Sequence, residues 1–127
     1  MKHFLISIAL LLFTTNLLAH GDKHDEHAKK LETISGQLIG LTCFVKHQSK
    51  GEGHIDCFKE CAEKGLPIGV LTKDNQIYQI SGEGHTDLKE TNKQFLKYAE
   101  KDVVVKGEIF KGHNLNMVVV KGIKLSK

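Results

Sequence analysis

The runs DVVVKGEIFK (102–111) and LNMVVVKGIKLS (115–126), separated by GHN, constrain the fold of this chain most. Each carries a run of three valines and a later isoleucine, and a Gly-His-Asn turn between them predicts a hairpin of two long strands. A second hairpin is predicted over PIGVLTKDNQIYQIS (67–81), turning at Asp74-Asn75. Another strand is expected in LETISGQLIGLTCF (31–44), where alternating and continuous apolar positions mix and Gly36 or Gly40 marks a bend. Cys43 then closes that first strand, and VKHQSKGEGH (45–54) reads as a loop.

Two helices fill the gaps. IDCFKECAEKG (55–65) is a short one: Asp56 suits its start, and Gly65 followed by Pro67 ends it. DLKETNKQFLKYAEK (87–101) is the longest helical stretch, with Asp87 and Glu90 spaced as a capping box. Leu88, Phe95, Leu96 and Ala99 give it an apolar stripe. The expected order is strand, short helix, two strands, helix, two strands: mainly β with two helices.

The first nineteen residues, MKHFLISIALLLFTTNLLA, have the layout of a secretory signal peptide. Lys2 precedes an apolar run from Phe4 to Phe13 that is too short for a convincing membrane span, and Ala19 suits cleavage. A mature chain starting at His20 would be periplasmic or secreted, with no stable membrane anchor. Residues 20–30, HGDKHDEHAKK, have almost nothing to bury and read as a flexible His-rich tail. Residues 31–127 suffice for a single small domain.

All 18 basic residues are lysine, set against 15 acidic ones, and there is no tryptophan. With no arginine for bidentate contacts and few aromatic residues for stacking, nucleic acid is disfavoured as a partner. No Ser-His-Asp set, paired-carboxylate motif or phosphate-binding Gly loop is present, so no enzyme activity is expected.

The C-terminal half resembles small exported bacterial proteins of the OB-fold type. In those, a helix ending Tyr-Ala-x-Lys leads to Val-x-Val-x-Gly and a last strand of alternating valines. The matching residues are Tyr98, Ala99, Lys101, Val103, Val105 and Gly107, then Met117 to Ile123. Gly36 and Gly40 suit the strongly bent first strand of such barrels. The resemblance implies an OB-like five-stranded barrel, with the Cys-bearing helix inserted after the first strand. Small exported proteins also share this cysteine and histidine arrangement before a Gly-x-Pro-x-Gly strand.

The chemistry sits in that insertion. Its pattern is Cys-x10-His-x2-Cys-x3-Cys: Cys43, His54, Cys57 and Cys61. Cys57 and Cys61 lie one helical turn apart on one face, and His54 at the helix entrance can join them. Three sulfurs and one imidazole suit a tetrahedral Cys3His site for zinc, or a soft site for Cu(I). A helix N-terminus near Cys57 also favours its thiolate. The Cys-x3-Cys spacing resembles the binuclear copper loop of cytochrome oxidase subunit II. That loop places a His four residues after the second Cys, where this chain has Gly65.

The competing expectation is a disulfide. Parallel side chains at i and i+4 make Cys57 and Cys61 poor partners for each other, whereas Cys43 could bond either and leave one free thiol. A low-pKa thiol doing redox work is a third reading. His20, His24 and His27 in the tail, and His85 in GEGHTD (82–87), an echo of GEGHID (51–56), are candidate secondary metal ligands. The cluster thus predicts a periplasmic copper or zinc protein serving metal homeostasis or delivery, with a metalloprotein as partner. The alternative is a disulfide-stapled OB-like module that binds a peptide, glycan or protein.

Overall fold

The computed structural model describes residues 30–127. Residues 1–29, which include the expected signal peptide and His20, His24 and His27, lie outside the described residues. Five strands close into a barrel: β1 (Leu31–Gly40), β2 (Ile68–Thr72), β3 (Ile77–Ser81), β4 (Asp102–Gly112) and β5 (Leu115–Leu125). Their order around the barrel is β1-β2-β3-β5-β4, with β4 returning to β1. Every pairing is antiparallel except β3 with β5. This is the predicted OB-like barrel.

β1 is long enough to serve two neighbours because it changes partner in mid-course. Its residues Leu31 to Gln37 pair with β4, and Gly36 to Gly40 pair with β2. Gly36 lies opposite both Thr72 and Val103. A Cβ there would stand 2.2 Å from the Leu71 carbonyl oxygen, so only glycine lets the two backbones pass so closely. At Gly40 a Cβ would meet its first neighbour at an ordinary 3.7 Å. The tight bend is therefore at Gly36, and Gly40 is where the strand stops.

Beyond Gly40 the chain departs from expectation. Residues Leu41–His47 form a helix, α1, so Cys43 lies on a helix rather than closing the strand. The supposed loop also contains a 3-10 turn, Glu52–His54, running into α2 (Ile55–Glu63). The described residues thus hold three α-helices, not two. The reason α1 forms is tertiary. Ile39 points out of the barrel where its neighbour Leu38 points in, and both are fully buried. Leu41 and Phe44 of α1 cover Ile39 and Leu71 on the outside, giving a small second core. An amphipathic cover of this kind looks, in sequence, like a continuation of the strand.

α2 closes the barrel from one side. Phe58 and Ala62, one turn apart, enter the main core with Leu38, Val70, Ile80, Val103, Val105 and Val118. Asp56 does not cap α2: the cap position is His54, without a capping side chain. The segment after β3 also divides, into a short α3 (Leu88–Asn92) and a 3-10 stretch, Lys93–Tyr98. Asp87 does cap α3, accepting the Glu90 N–H at 2.8 Å. Asn92, fully buried, donates to the Ala62 and Leu66 carbonyls at 2.9 Å each and so ties α3 to the end of α2. Among the described residues no helix is long and apolar enough to cross a membrane.

The crowding at the β1 bend sets a test. Gly36→Ala is expected to lower the unfolding free energy by about 3 kcal/mol, the upper end of overpacking costs, because the obstacle is backbone. Gly122→Ala in β5, where a Cβ meets nothing within 4 Å, should stay within about 0.5 kcal/mol of the parent in the same denaturant titration.

Candidate metal centre

Three chain segments converge at the end of β1. Cys43 is the third residue of α1, which starts directly at the strand end. The chain then reverses through Gln48 (φ 57°) and Gly51 (φ 94°), returning His54 towards Gly40. The His54 ring packs there, with Cε1 3.8 Å from where a Gly40 Cβ would be. Cys57 lies in the first turn of α2, and Cys61 one turn further on. Because Phe58 and Ala62 face the core, the residues just before them face the flank, towards α1.

The result is a compact donor group. Ligand atoms of Cys43, His54 and Cys57 all lie within 4.8 Å of one another. This group could hold a metal ion. The Cys43 and Cys57 sulfurs are 3.8 Å apart, and all three cysteines are free thiols. Two Zn–S bonds of about 2.3 Å at the tetrahedral angle would put sulfurs about 3.8 Å apart. Cys61 is not one of the tight three, but it lines the same recess as Cys43 and His54. Burial pushes the Cys43 thiol up to about 11, reinforced by the hydrogen bond and negative potential of Cys57. Burial likewise raises Cys61, with Cys57 again contributing. Crowded, desolvated thiols resist ionising one after another; a bound cation would reverse that preference.

His54 is held from the other side. Its side chain is 11% exposed, and its Nδ1 is 2.7 Å from Oε1 of Glu100, whose carboxylate is fully buried. The other ring nitrogen, Nε2, is buried without a hydrogen-bond partner among the described residues. Buried polar nitrogens are seldom left so. With Nδ1 occupied by Glu100, Nε2 is the nitrogen free to act as the imidazole donor of the cluster. Glu100 also accepts the Gly51 N–H at 2.8 Å, and Gln37 Nε2 lies 3.4 Å from the same carboxylate.

Sequence reasoning missed Glu100 and Gln37. Glu100 is the variable position of Tyr-Ala-x-Lys, 46 residues from His54, and nothing in its local sequence marks it. His85 sits exposed in the turn between β3 and α3 and does not join the donor group. Its echo with His54 is also weaker than the letters suggest, since Asp87 caps its helix and Asp56 does not.

The raised Cys43 thiol has a kinetic signature. In metal-free protein at pH 8 the protonated form dominates. Cys43 should therefore react with iodoacetamide about tenfold more slowly than an ordinary exposed cysteine, after allowing for the greater nucleophilicity of a high-pKa thiolate. The rate should keep climbing towards pH 11, as read by peptide-resolved mass spectrometry. A plateau near pH 9 would show that burial does not govern this thiol. No protein-family model, curated protein or solved structure matches the chain, so the chemistry of these side chains is what its function is read from.

Proposed function

We propose that the protein holds a single copper(I) or zinc ion through Cys43, His54 and Cys57, with Cys61 completing the set. The observation that carries this reading is the donor group within 4.8 Å, supported by a His54 Nε2 that is buried without a hydrogen-bond partner among the described residues. Thiolate and imidazole together suit these two ions and not the hard cations, which take oxygen. A site closed by protein ligands suits holding and handing on metal better than catalysis. The leader-like first nineteen residues favour the periplasm or the cell exterior for that work, in metal homeostasis or delivery.

The His-rich tail fits this role as a second station. It joins the domain at Leu31, which pairs with Glu108 at the end of β1 opposite Gly40. Ten residues of strand separate the two ends, up to about 30 Å. The eleven residues from 20 to 30 reach at most about 40 Å when fully extended. That reach exceeds the span of the strand, so a tail carrying His20, His24 and His27 is long enough for its tip to hand collected metal to the thiol cluster.

Purified protein kept reduced should take up one Zn(II) or Cu(I) at the cluster, measured by metal analysis and competition with a chromophoric chelator. Cys57→Ser should weaken that site by more than about 100-fold, beyond what loss of an outer partner does. Failure to take up either ion stoichiometrically sinks the reading. A quantitative Cys43 disulfide in unreduced protein would favour the stapled binding module instead.

A further inference from the structure

Glu100 has the attributes of a residue kept for what it does to His54. It is an acid in a small domain with its carboxylate fully buried, a placement acids rarely adopt unless paired. It adopts φ 59°, in the left-handed region that non-glycine residues seldom occupy. Its backbone is fastened there as well, since Gln37 Nε2 donates to the Glu100 carbonyl at 3.0 Å. The Lys101 carbonyl, one residue on, accepts the Leu38 N–H at 2.9 Å.

The hydrogen bonds decide which atom carries the proton. The Gly51 N–H can only donate, and it does so to Oε2 of Glu100. Gln37 presents its amide nitrogen, also a donor, to that oxygen. A carboxylate already receiving donors acts as acceptor towards Nδ1 of His54, 2.7 Å away. The neutral ring then carries its hydrogen on Nδ1, and Nε2 keeps its lone pair. Nε2 is the atom left buried without a hydrogen-bond partner among the described residues, on the residue that shares the donor group with Cys43 and Cys57. A hydrogen on Nε2 would be a buried donor with no acceptor.

We infer that Glu100 is a positioning residue: it locks His54 as the Nδ1–H tautomer and aims a bare Nε2 at Cys43 and Cys57 before any metal arrives. This rests on the metal-holding reading for its purpose, although the tautomer itself does not. The same carboxylate ties the loop after α1, through Gly51, to the entry of β4. The imidazole is thereby held by the barrel and not by the metal.

Nitrogen-15 NMR of the metal-free, reduced protein, at a pH where the imidazole is neutral, tests this directly. His54 should show a pyrrole-type Nδ1 and a pyridine-type Nε2. Glu100→Ala should abolish that preference and weaken Zn(II) binding ten- to a hundredfold in chelator competition, with stoichiometry retained. Glu100→Gln, which keeps an acceptor oxygen, should recover part of the affinity. An Nε2–H tautomer in the parent protein overturns the inference whether or not either variant folds. So does a Glu100→Ala protein with parental Zn(II) affinity. A parent that takes up no Zn(II) sinks the metal reading, and the tautomer still decides what Glu100 does to His54.

Discussion

The placement of α2 is the constraint on which the rest of this structure depends. Phe58 and Ala62 are buried to near completion in the barrel core. Burying a phenylalanine contributes on the order of 2–3 kcal/mol, enough to fix the rotation of so short a helix about its axis. Cys57 and Cys61 come one residue earlier, about 100° around the helix, so the anchoring that serves stability also aims the two thiols. Asn92 fixes the other degree of freedom by binding the carbonyls at the far end of α2. The geometry of the candidate metal site therefore inherits the rigidity of the core.

A second set of contacts gives the same rigidity to His54. Gln37, Gly51, His54 and Glu100 come from β1, the insertion and the approach to β4, and they meet on one buried carboxylate. Bringing such distant segments together carries an entropy cost that the barrel has already met by pairing β1 with β4. The unusual backbone at Glu100 is tolerable for the same reason: Ala99 before it is fully buried, and Lys101 after it is bonded to β1. Strain in one residue is held by a framework that does not move.

Local signals explain what could be seen in advance. The two hairpins, a bend at Gly36 or Gly40 and the helical spacing of Cys57 with Cys61 each depend on neighbours in sequence, and each was legible, though only the fold shows that the bend is at Gly36. α1 was not legible, because LTCFVKH is apolar and β-branched in places and comes after a buried strand without a break. Its helical form depends on Leu41 and Phe44 meeting Leu71, from a strand 24 residues and more away. The two-part path from Leu88 to Tyr98 has the same origin, with Phe95 drawn into the core and Asn92 drawn to α2. Glu100 was beyond reach for a further reason. Its role exists only once the barrel has closed and placed it beside His54.

The choice between metal and disulfide turns on what each would leave unsatisfied. A Cys43–Cys57 disulfide would use two sulfurs already 3.8 Å apart and would remove the Cys43 thiol, which burial keeps from ionising. It would do nothing for Nε2 of His54, which would stay buried without a partner, nor for the Cys61 thiol, which is also raised by burial. A cation engages all of these at once. It compensates the desolvation of the thiolates, gives the bare nitrogen a ligand bond, and makes sense of a buried carboxylate spent on orienting one imidazole. One ion would meet the crowded thiols and the unpartnered nitrogen together, whereas the covalent alternative would meet only the Cys43–Cys57 pair.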